Sequence, residues 1–198
     1  MHPPSDPLLS DEDRRSLLAH ARQAIFETVS CLKFPDLPPA TGPLADPSGA
    51  FVTLRCRGKL RGCIGRTDAA HVLAETVVQC AITAALQDPR FNPLRMEELT
   101  ELEIEISVVS EPWPVRLEEI ELGIHGIVVC RDASRGLLLP QVALEHNWSA
   151  TQFLEAACRK AGLEAGAWRD PETKLLAFTA EVFSEIGLVP LHDQAAER

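Results

Sequence analysis

An α+β fold with a mainly antiparallel sheet and flanking helices is predicted by three features of the sequence. Apolar residues recur at helical spacing in three separate stretches. Another stretch, Leu102–Ser110, alternates apolar and polar residues with period two, as a half-buried antiparallel strand does. The two kinds of stretch do not follow one another as regular βαβ units, which argues against a parallel α/β class. The chain has 198 residues, 45% hydrophobic and 24% charged, which suits one core or one domain in two unequal lobes.

The first helix is expected to start at Ser10, an N-cap with Asp13 three residues on. Leu17, Leu18, Ala21, Ile25 and Val29 form its buried stripe. The proline-rich run from Phe34 to Pro43 excludes helix and central strand. It reads as an ordered wrapping loop punctuated by Leu37 and Leu44. A hairpin follows: Ala50–Cys56, a turn at Arg57-Gly58-Lys59, and Leu60–Gly65. The second helix spans His71–Leu86 and ends before Asp88-Pro89, because a residue before proline is pushed out of the α region. In the alternating strand, Leu102, Ile104, Ile106 and Val108 share one face, and Glu103, Glu105 and Ser107 the other. Gly126–Arg131 and Gly136–Ala143 read as a strand pair joined through Asp132-Ala-Ser-Arg135. Ser149 caps a third helix that Gly162 stops, and Lys174–Phe183 is the last strand. The expected organisation is one domain over residues 12–190, with an extension at 1–11 and a tail at 191–198 whose last residues fray.

Composition narrows the function. A formal net charge of -10, no Lys/Arg run longer than Arg14–Arg15, and no tyrosine at all oppose nucleic-acid binding. No stretch has the ~20 apolar residues a membrane span needs, and the start of the chain lacks a secretory pattern. The six cysteines, at 31, 56, 63, 80, 130 and 158, form no CxxC pair and fit reduced thiols in a cytoplasm. There is no HExxH or other zinc-ligand spacing, and no metal or cofactor is expected. The absence of Walker A, GxGxxG and GxSxG patterns disfavours phosphate-loop enzymes, dinucleotide dehydrogenases and α/β-hydrolases.

The segment that stands out is Leu60-Arg-Gly-Cys-Ile-Gly65. On a regular strand, Arg61, Cys63 and Gly65 face one way and Leu60, Gly62 and Ile64 the other. A guanidinium beside a thiol favours thiolate, the form that attacks electrophiles. Gly62 and Gly65 weaken a strand, and suit a bulge or the close approach of a backbone or ligand. The plainer alternative is a packed Cys63 with Arg61 reaching water. Cys56 alternates in phase with Leu54 and reads as core. A thiolate wants a base, and His125 between the glycines of Gly123-Ile-His-Gly126 is the candidate, its turn exposing the imidazole. Nothing in the sequence places it beside Cys63. His146 is a loop alternative, while His20 and His71 read as solvated helix residues. Glu103 and Glu105 lie on a polar strand face, with Glu105 the preferred acid/base candidate.

These segments together resemble the AMMECR1 family. Leu60–Gly65 is similar to its signature hexapeptide, Asp88-Pro-Arg-Phe91 to the segment after its second helix, and Glu103–Ser110 to its EISVLS strand, with Val109 replacing leucine. Gly123–Val129, Leu138–Ala143 and Phe153–Leu163 resemble later blocks, in the same order. The resemblance implies one domain in two unequal lobes with the hexapeptide near a cleft. By position it carries Arg61, Gly62, Cys63 and Gly65 as functional, with His125 and Gln141 in support. It also implies partners, a Memo-like protein and a radical S-adenosylmethionine enzyme. Two readings stay open: a Cys63-dependent enzyme acting on a small molecule or modified group in the interlobe cleft, or a non-catalytic binding module for those partners.

Overall fold

The computed structural model describes residues 9–31, 36 and 40–188. Helix α1 is Asp11–Cys31. Its start is fixed by Ser10 and Asp13, each capping the other: the Asp13 N–H donates to Ser10 Oγ at 3.2 Å, and the Ser10 N–H donates to the Asp13 carboxylate at 3.0 Å. Asp is here long enough for a role that Glu usually fills. Leu17, Leu18, Ala21 and Ile25 are buried and Val29 partly so, as their spacing predicts. Half of the proline-rich run, Leu37 included, lies outside the described residues. Leu44 at its end is buried in a 3-10 turn, Gly42–Ala45.

Strands β1 (Gly49–Cys56) and β2 (Lys59–Arg66) form the expected hairpin. Its two-residue turn holds Arg57 at φ 52 and Gly58 at φ 71, the left-handed pair that matches strand twist. Leu54 pairs with Gly62 but Arg55 pairs with Leu60, so Arg61 is the extra residue of a bulge. Simple alternation therefore fails at the start of β2. Leu60 does not share the core-facing side of Gly62 and Ile64, and is exposed beside Arg55. Helix α2 (Leu73–Leu86) begins two residues later than the periodicity predicts, leaving His71 ahead of it. Strand β3 is Leu102–Val109. Its four expected inward residues are buried, and so are Ser107 and Val109, which means the second face is covered toward its end.

The two-residue strand β4 (Trp113–Pro114) is too short to leave a sequence pattern. Strands β5 (His125–Arg131) and β6 (Ser134–Leu138) pair through a tight turn at Asp132, φ 50. The strand predicted through Ala143 stops at Leu138 and gives way to α3 (Pro140–Glu145). Pro140 decides this: it lacks the N–H a ladder needs and its fixed φ suits a first helical turn. Helix α4 (Ala150–Lys160) is capped by Ser149 through Gln152, and Gly162 at φ 75 ends it. Strand β7 (Lys174–Ser184) and the single turn α5 (Glu185–Leu188) follow.

The chain forms two compact units. Among the described residues, one takes the chain up to Val108 and again from Glu181, and the other is Val109–Ala180. In the first, the strand order is β2-β1-β3, with the end of β7 beside β3, and β2 is an edge strand. Its core joins Leu17, Ile25, Val52, Leu54, Val77, Ala81, Ile104 and Ile106. In the second, β7 lies between β4 on one side and the β5–β6 pair on the other, and Ile127, Val129, Phe153, Leu154 and Ala177 fill the core. No helix among the described residues is long and apolar enough to cross a membrane.

Candidate functional site

The hexapeptide is held by close approach on both faces of β2. A Cβ on Gly62 would overlap the backbone carbonyl oxygen of Ala84, so only glycine lets β2 rest on α2. A Cβ on Gly65 would overlap the ring of Phe51, its cross-strand partner. Both glycines thus serve backbone and ring approach within the fold.

Cys63 is half-buried and lies opposite Thr53, whose hydroxyl donates to Cys63 Sγ at 3.3 Å. In an antiparallel ladder alternate residues turn their backbone groups away from the partner strand. Cys63 is such a residue on the free side of β2, and side chains after α2 meet its backbone. The Cys63 N–H donates to Asp88 Oδ2 at 2.9 Å, and Arg90 Nη2 donates to the Cys63 carbonyl at 3.2 Å. Arg90 also donates to Asp88 through Nε at 2.9 Å and Nη2 at 2.6 Å, and the Arg90 N–H donates to Asp88 Oδ1 at 3.1 Å. The loop that carries them is tied back by the Leu94 N–H donating to the Ala85 carbonyl.

The electrostatics follow from this geometry. The Asp88 side chain is 1% exposed and that of Arg90 51%. Hydrogen bonds from the Arg90 guanidinium hold the Asp88 carboxyl well below the usual carboxylate range; burial opposes them, and the backbone N–H groups of Cys63 and Arg90 assist. Arg90 is raised in turn, first by its hydrogen bonds to Asp88, with burial opposing. Arg90 and Arg61 lie 5.4 and 5.9 Å from the centroid of the Phe91 ring.

Arg61 is placed otherwise than the alternation predicts. As the bulge residue it turns to Glu98, with Nε–Oε1 at 2.7 Å and Nη2–Oε2 at 3.0 Å, and donates to the carbonyls of Asn92 and Pro93. Its charge acts on Cys56, whose thiol is pushed up by burial first and by Glu98, with Arg61 opposing. The cation beside Cys63 is Arg90. In the sequence Asp88 reads as the end of a helix and as part of a family-like segment, not as a site residue. The available signal was a carboxylate and a guanidinium two residues apart, straight after an apolar helix.

The remaining candidates are not among the hydrogen-bond partners of Cys63, Asp88 or Arg90 described above. His125 is buried in its own unit, not exposed at a turn, because it opens β5. Its Nδ1 accepts the Glu121 N–H at 3.1 Å, which leaves the neutral ring's proton on Nε2, and its ring meets Trp113 edge-on at 5.5 Å. These partners belong to Val109–Ala180, whereas those of Cys63 belong to the other unit. Gln141 sits on α3, half-buried, and its Oε1 is buried without a hydrogen-bond partner among the described residues. Glu105 is half-buried on β3, in the unit that holds Cys63. His20, expected to be solvated, is half-buried, its Nδ1 has no partner among the described residues, and burial lowers its pKa. Among the described residues no three His, Cys, Asp or Glu side chains come together as a metal would require.

The AMMECR1 family profile matches residues 18–183. The chain belongs to the AMMECR1 family. A protein of Methanothermobacter thermautotrophicus is 41% identical over 189 residues, covering 90% of this chain and 97% of the relative. Protein MK0488 of Methanopyrus kandleri is also 41% identical, covering 89% of this chain and 90% of its own. The crystal structure of protein PH0010 from Pyrococcus horikoshii superposes with a TM-score of 0.87 at 37% identity, covering 90% of this chain and 94% of that one. The mixed helix and antiparallel-sheet architecture is thus that of an AMMECR1 protein.

Proposed function

We propose that this AMMECR1 protein is a binding module for a Memo-like protein and a radical S-adenosylmethionine enzyme in the cytoplasm, with the surface around Cys63 as its recognition point. One observation carries the reading: the hexapeptide is committed to shaping a surface. Gly62 seats β2 on α2, Gly65 admits Phe51, Arg61 is tied to Glu98, and the backbone of Cys63 is bound by Asp88 and Arg90. What faces solvent is an arginine–aromatic pair, half-exposed Arg90 against Phe91, beside a thiol. Arginine and aromatic groups are what protein interfaces use as anchors. The ionised, hydrogen-bonded Asp88 is a poor proton acceptor, and His125 has its partners in the other unit.

A second reading, a Cys63 nucleophile, is favoured by the Thr53 hydroxyl donating to Sγ and by the Arg90 guanidinium at the Cys63 carbonyl. The test uses partner binding by isothermal titration, comparing wild type, Cys63→Ser and wild type carrying an N-ethylmaleimide adduct on Cys63. Recognition predicts near-normal binding by the serine variant and a loss of tenfold or more by the adduct. Unimpaired binding by the adduct would overturn it.

A further inference from the structure

The edge of β2 at Cys63 is satisfied in an unusual way. An edge strand presents N–H and C=O groups that another strand could pair with. At Cys63 both groups are taken by two side chains acting as a neighbouring strand would: Asp88 accepts at 2.9 Å and Arg90 donates at 3.2 Å. The two are themselves joined by three hydrogen bonds, and Asp88 is sealed from solvent. Through its hydrogen bond to the Cys63 carbonyl the guanidinium of Arg90 is held next to the residue that bears the thiol.

We infer that Asp88 and Arg90 form a positioning clamp on Cys63 in which Asp88 restrains the thiol by offsetting the charge of Arg90. Asp88 is a positioning residue: it acts on Cys63 through the strand backbone and through Arg90, and needs no contact with a ligand. The physical basis is charge balance. With both members present the thiol faces a neutral pair; without the carboxylate it faces an uncompensated cation, which favours thiolate. Without the guanidinium it faces a buried anion, which disfavours thiolate. Removing Asp88 therefore quickens Cys63, the opposite of what loss of an activating carboxylate does.

The inference rests on reading Cys63 as the working residue, whether it recognises or reacts. It is tested on the isolated full chain, so its failure is distinct from failure of partner binding. Each cysteine's rate of alkylation by iodoacetamide at neutral pH is read by peptide mass spectrometry, with half-buried Cys56 and Cys130 as internal references. Asp88→Asn is expected to raise the Cys63 rate by roughly three- to tenfold, at or below the lower end of the range that a nearby charge produces in ionisation. Arg90→Met, its folding checked by circular dichroism, is expected to lower it by a similar factor. The double variant returns it toward wild type. If Asp88→Asn does not fold, as near- and far-ultraviolet circular dichroism would reveal, the Arg90→Met result alone decides. A Cys63 rate that is unchanged in folded Arg90→Met, or that falls in folded Asp88→Asn, overturns the inference.

Discussion

Replacing Gly62 by alanine tests how the hexapeptide is seated. The new Cβ would overlap the carbonyl oxygen of Ala84 and come within 3.1 Å of its carbonyl carbon. Both atoms are backbone of α2, and Ala84 is 1% exposed, so no flexible side chain can yield. Overpacking a core costs about 1–3 kcal/mol, and a backbone obstacle places this site near the upper end. The smaller conformational freedom of alanine in the unfolded chain returns about 0.4–1 kcal/mol. The net expectation is a loss of about 2 kcal/mol, a large share of the stability of a domain this size. Urea unfolding followed by circular dichroism measures it, with Gly166→Ala as the control. There the nearest atom is the movable end of Arg169 at 3.7 Å, and a change within about 0.5 kcal/mol is expected. If Gly62→Ala is no less stable than Gly166→Ala, the close approach of β2 to α2 is wrong.

Two further outcomes follow from the charged groups. Arg61→Ala removes a bidentate ion pair and two carbonyl contacts, and should cost about 2 kcal/mol in urea unfolding while leaving the Cys63 alkylation rate within about twofold of wild type. A large fall in that rate would restore Arg61 as the cation that serves the thiol. The Asp88 carboxyl is depressed in the folded protein, so its contribution is fully present above the unfolded value near ~3.9 and is lost as pH falls through the lower folded value. The stability difference between wild type and Asp88→Asn should accordingly be constant above about pH 5 and shrink below about pH 4. Urea midpoints across that range check it, and a difference independent of pH would contradict the ionised clamp.

Local chemistry made most of the fold legible. The Ser10 cap, the left-handed turn at Arg57 and Gly58, and the alternation of Leu102 to Val108 each state their structure within a few residues. The misses came where one residue overrode a pattern. Arg61 broke the period of β2 by entering a bulge, and Pro140 turned an apolar run from strand to helix. The site was legible at Cys63 and its glycines, whose neighbours in sequence are unusual. Asp88 and Arg90 were not legible as part of it: they reach Cys63 from 25 and 27 residues away, through the return of the chain after α2. His125 looked exposed because glycine flanks suggest a turn, but its ring is covered by Trp113 once β5 forms.

Alkylation protection shows whether the Cys63 surface is where partners meet this protein. The rate at each cysteine is measured in the native chain alone and with saturating Memo-like protein or radical S-adenosylmethionine enzyme. At least one partner is expected to slow Cys63 by tenfold or more while Cys130, which lies in the other unit, keeps its rate. A bound partner that leaves the Cys63 rate unchanged would contradict that expectation.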